Sequence, residues 1–104
     1  MAIFGTMNGF ISEDPHYDKL PNGQSICNLV IGSKPTKKNA PINWIKVVAW
    51  DRLADQCKNL RKGSSVVVNG EIKIKPVTLP DGRVFETSEI VASNVELQRF
   101  NKKK

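Results

Sequence analysis

Five stretches of the chain alternate apolar and polar residues, and a sixth, set between the third and fourth, changes to the spacing of a helix. The alternating stretches, Ile3 to Glu13, Gln24 to Lys34, Ile42 to Trp50, Ser65 to Val77 and Val84 to Leu97, are predicted strands. Pro21-Asn22-Gly23 separates the first two and Pro80-Asp81-Gly82 the last two. In each triplet proline presets φ and glycine accepts a positive φ, so both are predicted to reverse the chain. In the helical stretch Leu53, Ala54, Cys57 and Leu60 share one face, Asp51 is placed to accept hydrogen bonds from the free N–H groups at the start, and Gly63 is placed to close the segment. The prediction is one helix of about three turns.

Five strands with a helix between the third and fourth is the order of an all-β, five-stranded barrel of the oligonucleotide/oligosaccharide-binding (OB) type, whose closure removes the edges of an open sheet. A 104-residue chain with 39% hydrophobic residues supplies one core. Residues 1–99 are therefore predicted as a single domain, and residues 100–104, ending in Lys102-Lys103-Lys104, as a short basic disordered tail. Lys34 to Pro41 holds two prolines and the lysines Lys34, Lys37 and Lys38 without apolar period, and is predicted as an exposed loop between strands two and three.

Parity along the third strand separates its faces: Ile45, Val47 and Ala49 point one way, Trp44, Lys46, Val48 and Trp50 the other. The first set is an ordinary core face. The second places two indoles and an ammonium where water selects polar side chains, and flat rings beside a cation suit a strand of unpaired bases: every base offers a π-face, and the charge meets its phosphate. The opposing reading packs both rings under a loop or in a subunit interface. In the fourth strand Val66, Val68, Ile72 and Ile74 are predicted inward, leaving Asn69, Glu71, Lys73 and Lys75 outward, where Lys73 and Lys75 extend the basic track. Arg83 and Phe85 follow the second turn and either form a finger over the strand or, for Phe85, pack the loop.

Sixteen Lys and Arg against ten Asp and Glu give a formal charge of +6, which favours polyanions without separating DNA, RNA and an anionic membrane surface. No run reaches the roughly 18 apolar residues of a membrane span, and Met1 to Gly5 lacks the blocks of a signal peptide, so a soluble protein of the cytoplasm or nucleoid, without membrane association, is expected. Cys27 and Cys57 lie among apolar neighbours and are predicted as buried reduced thiols. His16 stands alone beside Asp14 in a predicted loop. The chain shows no carboxylate cluster, Gly-rich phosphate loop or paired metal-ligand motif, so no enzyme, cofactor, metal or small-molecule substrate is expected.

Asn8-Gly9-Phe10-Ile11, Asp14-Pro15, Pro21-Asn22-Gly23 and Asn28-Leu29, followed by Asn43 to Trp50, Leu53-Ala54, Leu60 to Ser64 and Val68 to Ile72, resemble the bacterial-type single-stranded DNA-binding protein family in order and spacing. The resemblance runs from about Asn8 to about Leu97. It implies an OB fold and sequence-tolerant coating of single-stranded DNA during replication, recombination and repair, by a homo-oligomer, a tetramer first and a dimer second. Position by position it makes Trp44 and Trp50 stacking residues and Lys46, Arg52, Lys62, Lys73 and Lys75 basic residues near the strand path.

The sequence departs from the family in three places. It has no aromatic residue in Lys34 to Lys38 and none near Val77, which predicts weaker or more salt-sensitive binding. It also stops at lysines where the family usually carries a long tail with an acidic, hydrophobic tip, which implies either truncation or a minimal phage-, plasmid- or element-borne form. Two other readings stand beside this one: a primosome-type OB adaptor with Trp44 and Trp50 in a protein interface, and an RNA-binding OB domain of the cold-shock sort, whose paired aromatic strand motifs the sequence lacks.

Overall fold

A computed structural model describes residues 2–98 of the chain. The predicted basic tail lies outside the described residues. The elements run β1 (Ile3–Ile11), β2 (His16–Lys19), β3 (Ser25–Ser33), β4 (Asn43–Trp50), α1 (Asp51–Cys57), β5 (Ser65–Thr78) and β6 (Val84–Leu97). All five predicted strands form, the last with the predicted ends. The sheet order is β1-β5-β6-β4-β3-β2, and a further pairing of β1 with β3, Phe10 with Gly32 and Ile11 with Ile31, closes five of the strands into a ring. That ring carries the predicted OB order, and β2 is an addition outside it.

β2 corrects the loop predicted around His16. Its sequence, His-Tyr-Asp-Lys, has too few apolar residues to announce a strand, and it pairs only with β3. One side chain anchors it: the Tyr17 hydroxyl donates to Asp55 Oδ1 of α1 at 2.7 Å and lies 3.2 Å from Ser25 Oγ, and the Lys58 ammonium stands 4.9 Å from the Tyr17 ring centroid. The hydrogen bond from Tyr17 holds the Asp55 carboxyl below its usual range. Polar residues on such an edge also discourage pairing with other chains.

Both predicted turns are present. Gly23 and Gly82 each have φ of 91°; Gly23 N–H donates to Leu20 and Gly82 N–H to Leu79, each at 2.9 Å. The helix is shorter than predicted, at seven residues, or about two turns. Its N-cap position falls on Trp50 with no side-chain cap, so Asp51 does not serve as the cap; it enters the helix at φ 56°, a region that Asp tolerates better than most residues. Lys58 is the C-cap residue, and Gly63, at φ 88°, belongs to the turn before β5, where its N–H donates to Ile11 at 2.7 Å. The predicted apolar face holds: Ala54 and Cys57 are buried, Leu53 and Leu60 half-buried. No helix among the described residues is long and apolar enough to cross a membrane.

The core gathers Ile11, Leu29, Ile31, Val47, Ala49, Val66, Val68 and Ile90 from the ring, with Ala54 and Cys57 from α1. Ile74 corrects the predicted inward set of β5. It keeps the parity of Val66 and Val68 but is 54% exposed, because β1 accompanies β5 only as far as Ile72. Beyond that point β5 and β6 continue alone, as a hairpin with no opposing wall.

Cys27 and Cys57 are free and buried. Burial pushes both thiols up, and the neighbouring Cys27 adds to the rise at Cys57, to about 12. Neither is expected to react with an aromatic disulfide reagent at mildly alkaline pH while the chain is folded, and both should react in denaturant. Rapid stoichiometric labelling of the native protein would contradict this packing.

Candidate nucleic-acid interface

β4 is held between β3, antiparallel, and β6, parallel, so its outward side chains lie in the middle of a curved surface. Val47 and Ala49 are fully buried and Ile45 is half-buried, as the parity requires, while Trp44, Lys46 and Trp50 are exposed. Val48 has outward parity yet is buried, between its register neighbours Asn28 of β3 and Val91 of β6. Trp44 is 54% exposed and Trp50 37%. Six residues apart in an extended strand, their Cα atoms stand about 20 Å apart, too far for one base to touch both rings.

Trp44 is steadied by a contact that the sequence alone does not show. Gly32 pairs with Trp44 across β3–β4 and with Phe10 across β1–β3. Having no side chain, it lets the two rings meet over it, edge to face, with centroids 5.9 Å apart and planes at 82°. A Cβ at this position would fall 2.6 Å from the Trp44 ring and 2.8 Å from the Phe10 ring. The indole is thus propped by Phe10 while more than half of its surface stays open.

On the other flank of β4 the basic residues converge on one carboxylate. Glu89 of β6 pairs in register with Lys46 of β4 and with Lys73 of β5. Lys75 Nζ donates to Glu89 Oε1 at 2.9 Å, and Lys46 Nζ lies 3.8 Å from Oε2. The hydrogen bond from Lys75 holds the Glu89 carboxyl below its usual range; burial opposes the shift, and the charges of Lys75, Lys46 and Lys73 add to it. Glu89 is therefore ionised at neutral pH.

The other predicted residues are less concentrated. Phe85 pairs with Val77 in the outer hairpin, on the face that carries Lys75 and Glu89, and it is exposed. Arg83 folds back at the hairpin tip, with Nε 2.7 Å from Asp81 Oδ2, rather than reaching over β4. Lys34, Lys37 and Lys38 are exposed in the loop that leads from β3 into β4 near Trp44, and Arg52 is exposed at the start of α1 beside Trp50. Lys62 sits in the α1–β5 connection, where its backbone N–H donates to Asp14 Oδ1 at 2.9 Å, and Asp14 in turn lines a cavity with Lys46. Phe10 and Glu89, which are not among the predicted site residues, contact Trp44 and the lysines Lys46 and Lys75 respectively. Gly32 inside an apolar strand was the available signal for Phe10, since such a glycine marks a close approach.

Residues 5–98 match the single-strand binding protein family. The chain belongs to that family. A protein of Chlorobaculum tepidum named single-stranded DNA-binding protein 2 is 30% identical over 103 residues, covering 91% of this chain and 70% of the relative. The single-stranded DNA-binding protein of Oceanobacillus iheyensis is 31% identical over 93 residues, covering 85% of this chain and 58% of the relative. A second Chlorobaculum tepidum protein, single-stranded DNA-binding protein 1, is 30% identical over 74 residues, covering 64% of this chain and 46% of the relative. Family membership accounts for the OB order of the ring.

Gly32→Ala tests the aromatic contact. A methyl group between two rings overpacks the site and is expected to cost about 1 to 3 kcal/mol of stability in denaturant unfolding, with a shift in tryptophan emission as the Trp44 indole is displaced. A variant with parental stability and emission would show that the rings are not closed over Gly32.

Proposed function

We infer that this chain binds single-stranded DNA without sequence preference, with the strand following the outer face of β4 from Trp44 past Lys46 towards Trp50. The observation that carries this reading is the pair of exposed indoles bracketing an ammonium on a strand whose other face is core. Bases stack on the rings and phosphates meet Lys46, Lys73 and Lys75, and stacking is indifferent to base identity, so the binding tolerates any sequence. Lys34, Lys37 and Lys38 extend the positive field at the Trp44 end and Arg52 at the Trp50 end; Phe85 offers a further ring on the outer hairpin. The function is binding rather than catalysis. Its place is on the single strands exposed in replication, recombination and repair, in the cytoplasm or nucleoid.

The acting unit is a homo-oligomer. Ile3 and Phe4 leave apolar surface exposed near the start of β1, with Phe4 71% exposed, and a second copy of the chain covers such surface at low cost. Light scattering at micromolar concentration is expected to give a mass that is a multiple of 11.6 kDa, fourfold before twofold; a stable species of monomer mass would sink this part of the reading.

Titration of the intrinsic tryptophan fluorescence with oligothymidylate, oligouridylate and duplex DNA tests the binding itself, with quenching expected and oligothymidylate preferred. Trp44→Ala and Trp50→Ala should each weaken oligothymidylate binding by about 1 to 3 kcal/mol, the worth of one base on one ring, with melting temperature and assembly mass retained. Folded, assembled variants that keep the parental affinity would move both tryptophans into a protein interface instead.

A further inference from the structure

Glu89 stands where a phosphate is needed. It projects from β6 to the outer face, its side chain only 14% exposed, and both of its oxygens are turned to lysines of the track: Oε1 to Lys75 at 2.9 Å and Oε2 to Lys46 at 3.8 Å. Lys73 is its register partner on β5. Two of the ammoniums assigned to phosphates are therefore already engaged by an anion that belongs to the chain.

We propose that Glu89 acts as an internal rival of the DNA backbone, occupying Lys46 and Lys75 until a phosphate displaces it and so keeping the bound strand releasable. The proposal rests on the binding path along β4 inferred above. Carried on a strand between β4 and β5, the Glu89 carboxylate is held beside the lysines by the backbone register, and its depressed pKa keeps it charged in neutral solution. A phosphate approaching Lys46 and Lys75 meets the repulsion of that carboxylate and has to take over its hydrogen bond. The converse role, in which Glu89 only holds the lysines in position for DNA, predicts opposite effects and is separable by experiment.

Glu89→Gln keeps the side-chain shape and removes the charge. Oligothymidylate binding should tighten by about two- to fivefold, the range set by an ion pair of partial exposure. The slope of log affinity against log salt should steepen by up to about 1.4, at roughly 0.7 for each lysine released to a phosphate. Lys75→Gln, a second variant, should weaken binding more in the Glu89→Gln background than in the parent, because only there is the Lys75 charge free. Weaker binding by Glu89→Gln would overturn the rivalry in favour of positioning. Unchanged affinity and slope in Glu89→Gln, together with loss of affinity in Trp44→Ala, would overturn it and leave the binding path standing; if neither variant changes affinity, path and proposal fall together. Should Glu89→Gln not fold, the comparison passes to Glu89→Asp, whose shorter side chain withdraws the carboxylate from Lys46 and should steepen the slope in the same direction, with an unchanged slope counting against rivalry.

Discussion

Three residue pairs of parallel ladder, Lys46 to Val48 against Glu89 to Val91, join the β5–β6 hairpin to the β3–β4 pair, and the outer surface follows from where that joint falls. Side chains alternate between faces with a period of two, so a slip of one residue at this joint would turn Ile90 outward and bury Glu89. The observed register is the one that keeps Ile90 in the core opposite Ile72 while lining up Lys46, Glu89 and Lys73 across three strands. Burial of a few aliphatic side chains thereby fixes the positions of charges that have no part in the core.

The opposite flank of β4 follows the same logic with different chemistry. The short β1–β3 pairing closes the ring and brings Phe10 beside Gly32, and so beside Trp44. A chain with these residues on an open sheet would leave Trp44 without its prop. Closure of the ring and ordering of the interface are in this sense a single event, and the apolar residues that drive closure, Ile11 and Ile31 among them, support the site from behind.

Most of the architecture was legible because it rests on local signals. Alternation marked the five ring strands, and proline-glycine triplets marked both reversals. Helical spacing marks the buried face of α1 but not its length or its cap: residue type favours Asp51, whereas the chain enters the helix directly from β4 and places Trp50 at the cap. β2 was invisible because a four-residue polar edge strand has only Tyr17 to bury. Ile74 was misplaced for a different reason. Parity tells which way a side chain points but not whether a wall stands opposite, and β1 has ended by then. At the site, the outward row on β4 followed from parity alone. The meeting of Glu89 with three lysines required a parallel pairing between segments some forty residues apart, which no local pattern encodes.

The edge-to-face contact between Phe10 and Trp44 bears on the timing of entropy loss. A free indole on a strand surface samples several rotamers, and fixing such a side chain on contact with a ligand costs about 0.5 to 1.5 kcal/mol. Here part of the freedom of Trp44 is surrendered on folding, when closure of the sheet brings Phe10 against it. Trp50 has no aromatic neighbour of this kind among the described residues. The two ends of β4 therefore differ in readiness: on the binding path proposed above, a base landing on Trp44 would meet a ring already set, while one landing on Trp50 would first have to still it.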